Sequence, residues 1–179
     1  AARANDVAKA KDAMAQLADK YGGTGYAPRA ALLVTPLLFE TGDKAGARAQ
    51  LAWVIDKDTE DELKQIARLR LAAILFDDKQ YDDALRTLDA KHDEAFAGIY
   101  ADLRGDILAG AGRKAEARTA YQSALARLDA KSPYRNFVQV KLDTLGGAVA
   151  AAGVGATGAV APSAPGPVTA AGTGTAPPK

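Results

Sequence analysis

Cysteine is missing from this 179-residue sequence, which excludes disulfides and thiolate chemistry. It leaves the compartment open, since cytosolic and exported proteins alike can do without it. Histidine occurs once, within Lys91-His92-Asp93, and a lone imidazole in a connecting loop is a poor catalyst or ligand and is expected to face solvent. No carboxylates gather in a plausible pocket either. With no nucleophile, base or metal set, the sequence presents no catalytic residue, no cofactor site and no metal site, and reads as non-enzymatic. Charge of one sign is equally lacking: charged residues make up 25% and the net charge is +1, so nothing in the balance suggests nucleic acid or an anionic membrane surface. Long hydrophobic runs are absent too. Ala30–Phe39 and Leu69–Phe76 are the longest apolar stretches, and both fall short of the roughly 20 residues that span a bilayer. The first residue is Ala1 rather than Met, with no charged segment, apolar core and cleavage site after it, so a trimmed or processed chain is expected.

What is present is a repeat. Leu69–Phe76 followed by Asp77-Asp78-Lys79-Gln80-Tyr81-Asp82-Asp83 is an apolar helix and a polar turn into a second helix. A shift back by 37 positions puts Leu32, Leu38, Phe39 and Ala47 on Leu69, Leu75, Phe76 and Ala84. A shift forward by 33 puts Gly105, Ile107, Leu108 and Ala117 on Ala72, Ile74, Leu75 and Ala84. The turns coincide as well, at Gly42-Asp43, Lys79-Gln80 and Gly112-Arg113. A period in the mid-thirties, with a small residue in the first helix and an alanine five positions after the turn, marks a tetratricopeptide array. Ala47, Ala84 and Ala117 are small because two helices cross there at the roughly 8–10 Å of ordinary packing.

The register predicts an all-α, right-handed solenoid of helical hairpins over 1–147, with an N-terminal half repeat at 6–21, repeats at about 28–55, 62–90 and 95–128, and a capping helix at 133–145. Asp6–Tyr21 aligns with second helices, so its own first helix is expected upstream. Tyr21-Gly22-Gly23-Thr24-Gly25 follows a helix rather than a strand and is an inter-repeat turn, not a phosphate loop. Pro36 inside the first full repeat removes the bond to the Leu32 carbonyl and predicts a kink costing about 3 kcal/mol unless packing compensates. Trp53 is expected to be partly buried. The acidic run Asp58–Glu62 has no calcium-loop glycine and sits where a helix begins, where it favours the dipole. Arg104-Gly105-Asp106 lies in a helix, with Gly105 at the crossing position, so its likeness to an adhesion tripeptide is discarded. Ser132-Pro133 opens the capping helix, Tyr134, Val138, Leu142 and Leu145 share its inner face, and Gly146-Gly147 close it. From 148 to 179 the sequence is Ala, Gly, Pro, Ser, Thr and Val with a single charge, and a disordered tail is expected.

Ala101-Asp102-Leu103-Arg104-Gly105-Asp106, Ala67-Arg68-Leu69-Arg70-Leu71-Ala72 and Asp83-Ala84-Leu85-Arg86-Thr87-Leu88-Asp89 resemble the YfgM family, the ancillary subunits of the SecYEG translocon. The resemblance covers roughly Asp6 to Gly146. It implies a tetratricopeptide domain facing the periplasm from the bacterial inner membrane, attached through an upstream membrane helix absent from this chain. It also implies a non-catalytic adaptor that binds the translocon and the chaperone PpiD and hands emerging polypeptides to periplasmic chaperones. The competing reading is a structural tetratricopeptide assembly module in the envelope or cytosol.

First helices of such arrays line the concave side. The register puts Leu32, Leu69 and Asp102 in one row, Phe39, Phe76 and Ala109 in a second, and Arg29, Ile66 and Ile99 in a third. Two outcomes stay open for this surface. Either it is an open protein-binding groove formed by Leu32, Phe39, Ile66, Leu69, Phe76, Ile99 and Asp102, or the first repeat or the capping helix fills it as core.

Overall fold

The computed structural model describes residues 2–57 and 60–153, with side chains over 6–57 and 60–146. Eight helices follow one another among the described residues: α1 (Ala2–Tyr21), α2 (Tyr26–Glu40), α3 (Lys44–Asp56), α4 (Asp61–Asp77), α5 (Tyr81–Leu88), α6 (Glu94–Gly110), α7 (Lys114–Arg127) and α8 (Tyr134–Gly153). Each packs on its neighbours in sequence, and the first helices α2, α4 and α6 also pack side by side.

The three hairpin turns are one structure built three times. Gly42, Lys79 and Gly112 all adopt positive φ, at 84°, 59° and 78°. The next residue then donates back to the carbonyl five positions earlier, Asp43 to Leu38, Gln80 to Leu75 and Arg113 to Leu108, each at 2.8 Å. That bond satisfies a carbonyl which the helix end would leave orphaned. Glycine takes the left-handed conformation without steric strain, whereas Lys79 adopts it against its Cβ. Past the turn, Ala47, Ala84 and Ala117 are fully buried where the second helix crosses the first. At the opposite crossing point, Thr35, Ala72 and Gly105 occupy equivalent positions. A Cβ on Gly105 would lie 2.4 Å from the Tyr121 ring, so a hydrogen is all that the α6–α7 crossing admits.

The core falls into two clusters that share α4. Met14, Leu38, Leu51, Val54, Leu63 and Ala67 belong to the first, and Ala72, Leu88, Tyr100, Ile107, Tyr121 and Val138 to the second. Trp53 is half-buried against the first cluster, and Asp61 and Glu62 occupy the first turn of α4. The capping helix differs from its expected bounds: α8 runs through Gly146 and Gly147 to Gly153. The glycines each cost about 1 kcal/mol in a helix, and the alanine-rich stretch after them restores the propensity that they remove. The tail expected from Ala148 lies outside the described residues from Val154 onward.

Candidate functional site: the concave face

Pro36 sits inside α2 and has no N–H, so the Leu32 carbonyl loses its helical donor. Arg70 on α4 replaces it, with one guanidinium Nη1–H donating to the Leu32 carbonyl oxygen. Thr35, beside the proline, turns its hydroxyl back to the Ala31 carbonyl at 2.8 Å. The break that the proline makes in α2 is thus closed by the neighbouring repeat. The arginine stem and the proline ring then line an open cavity of about 270 Å³, together with Phe39, Ala73 and Ile74. Its surface is mainly apolar.

Toward the third repeat the concave face changes character. Asp102 is only 2% exposed, and α8 covers it. Lys141 approaches both Asp102 carboxylate oxygens, at 3.0 and 2.9 Å, and Asp106 at 2.7 Å. The Tyr134 hydroxyl donates to Asp102, and the Tyr121 hydroxyl donates to Asp106 at 2.8 Å. Burial, and then the hydrogen bond to a carboxylate, push both phenols above their usual range. Burial pulls the Lys141 ammonium down, but hydrogen bonds to Asp106 and Asp102 outweigh it and leave the group raised. Two carboxylates beside each other at the end of a groove would be costly unless paired, and the capping helix supplies the pair.

The faces of α8 follow from its contacts at 100° per residue. Arg135 bonds the Leu125 and Leu128 carbonyls and Gly146 lies near Arg118, which sets the side toward α7. Val138 is fully buried, Tyr134 and Lys141 turn to α6, and Phe137 and Val140 lie farther round, on the edge away from α7. Phe137 is 67% exposed, and with Val140, Asn136 and the Lys141 stem it borders a second open, apolar hollow.

The expected groove residues separate accordingly. Phe39 lines the first cavity. Leu32 is buried in the first core cluster, with Ile66 packed against it, and presents its carbonyl rather than its side chain. Leu69 and Phe76 pack on the second cluster. Phe76 lies 6.1 Å from the Tyr81 ring and against Gly110, as an inter-repeat wedge. Ile99 is 43% exposed, and Asp102 is corrected from groove lining to anchor of α8. Sequence reasoning missed Arg70 and Ala73, and on α8 Phe137, Val140 and Lys141; only the arginine-rich character of the Arg68–Arg70 segment gave a sign. His92 is corrected as well: it is half-buried and stacks on Tyr100 at 4.1 Å, with Nδ1 3.1 Å from the Ala90 carbonyl. No group of His, Cys, Asp or Glu among the described residues is placed to hold a metal ion, and no helix there is long and apolar enough to cross a membrane.

Stacked helical hairpins of this kind define a class of protein-interaction folds. The profile of the tetratricopeptide repeat-like domain family matches residues 1–147, and the chain belongs to that family. Among known proteins it is similar to the ancillary SecYEG translocon subunit of Neisseria gonorrhoeae, 29% identical over 132 residues that make up 74% of this chain and 63% of that protein. It is similar to the protein of the same name from Escherichia coli, 32% identical over 120 residues, 67% of this chain and 58% of the relative. The one from Haemophilus influenzae is 34% identical over 101 residues, 56% of this chain and 50% of the relative. The chain thus spans less than two-thirds of the length of these relatives. None of their names denotes an enzyme.

Proposed function

We propose that this chain is the protein-binding domain of a non-catalytic adaptor associated with the SecYEG translocon at the bacterial inner membrane. In this reading the domain faces the periplasm, receives emerging polypeptides and passes them to a membrane-anchored chaperone of the PpiD type. The observation that carries it is the likeness, across most of the solenoid, to proteins named ancillary SecYEG translocon subunits. The concave cleft supplies a means. Pro36, Phe39 and Ala73 offer apolar surface to a side chain of an extended segment, and the guanidinium N–H groups of Arg70 not used on Leu32 suit a backbone carbonyl. Phe137 and Val140 on α8 border a second, separate apolar hollow. Of the residues expected from the register, Phe39 lines this cleft and Ile99 is exposed on α6 apart from it, while Leu32, Ile66, Leu69 and Phe76 pack in or on the core clusters and Asp102 anchors α8.

Crosslinking of the full-length protein in its own cell envelope tests the reading. Recovery of translocon subunits or a PpiD-type chaperone is expected. Their absence, despite efficient crosslinking to other envelope proteins, would count against the adaptor role.

A further inference from the structure

Helix α5 has 8 residues, against 13 in α3 and 14 in α7. It stops at Leu88, a turn or more earlier than the helices in the equivalent place, and the chain crosses to α6 as the connector 89–93. The last turn that would lie on α6 and α7 is missing, and a cavity of about 360 Å³ stands there. Its apolar floor includes Leu88, Tyr100 and Ala101, and Arg104, Ser123 and Arg127 stand at its sides. Arg104 is two residues on from Asp102, so this pocket is on the other side of α6 from the concave anchor. His92, stacked on Tyr100, closes one end.

Two guanidinium groups on adjacent helices facing one cavity form a fork suited to a carboxylate. Each is now held by an acid at the rim: Arg104 by Asp89, and Arg127 by Glu94 at 3.1 Å, with the Arg127 Nε–H also donating to the Ser123 hydroxyl at 3.2 Å. The Asp89 and Glu94 side chains are 62% and 79% exposed, and ion pairs so open to water are weak and exchange readily. The arginine side chains are themselves 37% and 45% exposed, so a carboxylate entering the pocket gains by meeting two guanidinium groups where each rim acid meets one.

We propose that this pocket is a second binding site, taking an acidic side chain from a segment of a partner protein. Its carboxylate bridges Arg104 and Arg127, and its apolar neighbour rests on Ala101 and the aliphatic stems of the two arginines. The site is independent of the concave cleft and of the translocon reading.

The test is a backbone-amide NMR titration of the full chain with a short end-blocked peptide containing Leu-Glu-Leu, a matched Leu-Gln-Leu peptide, and glutarate alone. The acidic peptide is expected to shift the amides of Ala97–Arg104 and Ser123–Arg127 saturably. The Gln peptide should bind about tenfold or more weakly, and Arg104→Gln with Arg127→Gln should abolish the response. Because that double variant removes packing as well as charge, Asp89→Asn with Glu94→Gln gives an independent arm: loss of the internal competitors should tighten the acidic peptide severalfold. Equal binding of the two peptides, shifts confined to other residues, or weaker binding by the competitor-free variant would each overturn the proposal. Saturation by glutarate at the same concentrations as the peptide would overturn a protein partner in favour of a small-anion site.

Discussion

Pro36 and Arg70 form the residue pair on which the concave cleft depends. The sequence shows that a proline within α2 frees the Leu32 carbonyl. It does not show the remedy, because the donor stands 38 positions from its acceptor and belongs to another repeat. Arg70→Ala should destabilise the fold by about 1–3 kcal/mol, the cost of an unpaired partly buried carbonyl. In a Pro36→Ala background the helix regains its own N–H, and the same substitution should cost less, with a coupling of about 0.5–3 kcal/mol in a urea-denaturation cycle. Strict additivity would mean that the arginine does not compensate for the proline. Lys79 gives the opposite case. Its alignment with Gly42 and Gly112 was legible as a turn, and its positive φ now follows from the shared geometry. Lys79→Gly should raise stability by about 0.5–1 kcal/mol, relief of the left-handed strain being partly offset by glycine's extra chain entropy. A loss of stability would show that the lysine side chain contributes more than its backbone costs.

At the scale of elements, the least legible was α8. Its inner face was readable from Tyr134, Val138, Leu142 and Leu145, and Val138 is indeed fully buried. Its polar contact was not, because periodicity reports apolar positions and carries no information on which charges meet across helices. The end of α8 was misplaced because two glycines were weighed as a stop signal, whereas inside a helix they are only a modest penalty. Lys141 is the element's fastening. Lys141→Met leaves Asp102 and Asp106 without their cation and should cost roughly 2–3 kcal/mol, below the 3–5 of a fully buried pair, since a third of the lysine side chain remains in water. The pH dependence has a definite sign. Lys141 is raised above its ordinary 10.5, and the Tyr121 and Tyr134 phenols are raised as well, so the folded state holds protons that the unfolded chain gives up first. Their stabilisation is full below pH 10, shrinks as the unfolded phenols and amine ionise, and is lost as the pH passes through the raised values. Both phenols remain in Lys141→Met, so the lysine alone separates the two proteins. Thermal melts from pH 8 to 11 should show the wild-type midpoint falling more steeply than that of Lys141→Met at the alkaline end, where the unfolded amine ionises first. Parallel slopes would contradict the assigned network.

The whole molecule is a solenoid with two core clusters joined through α4, and its architecture was legible because each repeat carries the same small crossing residues and the same turn. The surface was less so. Register alone assigned Leu32, Leu69 and Asp102 to one row, but the proline in α2 and the covering helix α8 gave those three positions three different environments. The apolar cleft therefore lies between α2 and α4, not along the whole row. Ala73 is exposed on the cleft, and Gln122 is exposed on α7. The most direct test of the adaptor account is site-specific photocrosslinking in the native full-length protein, with the photoreactive side chain at position 73 or, for comparison, at position 122, during active protein export. The account predicts adducts between position 73 and emerging polypeptides, weak or absent ones at position 122, and loss of the former when Phe39→Ala strips the cleft of its ring. Silence at position 73 alongside efficient polypeptide adducts at position 122 would contradict it.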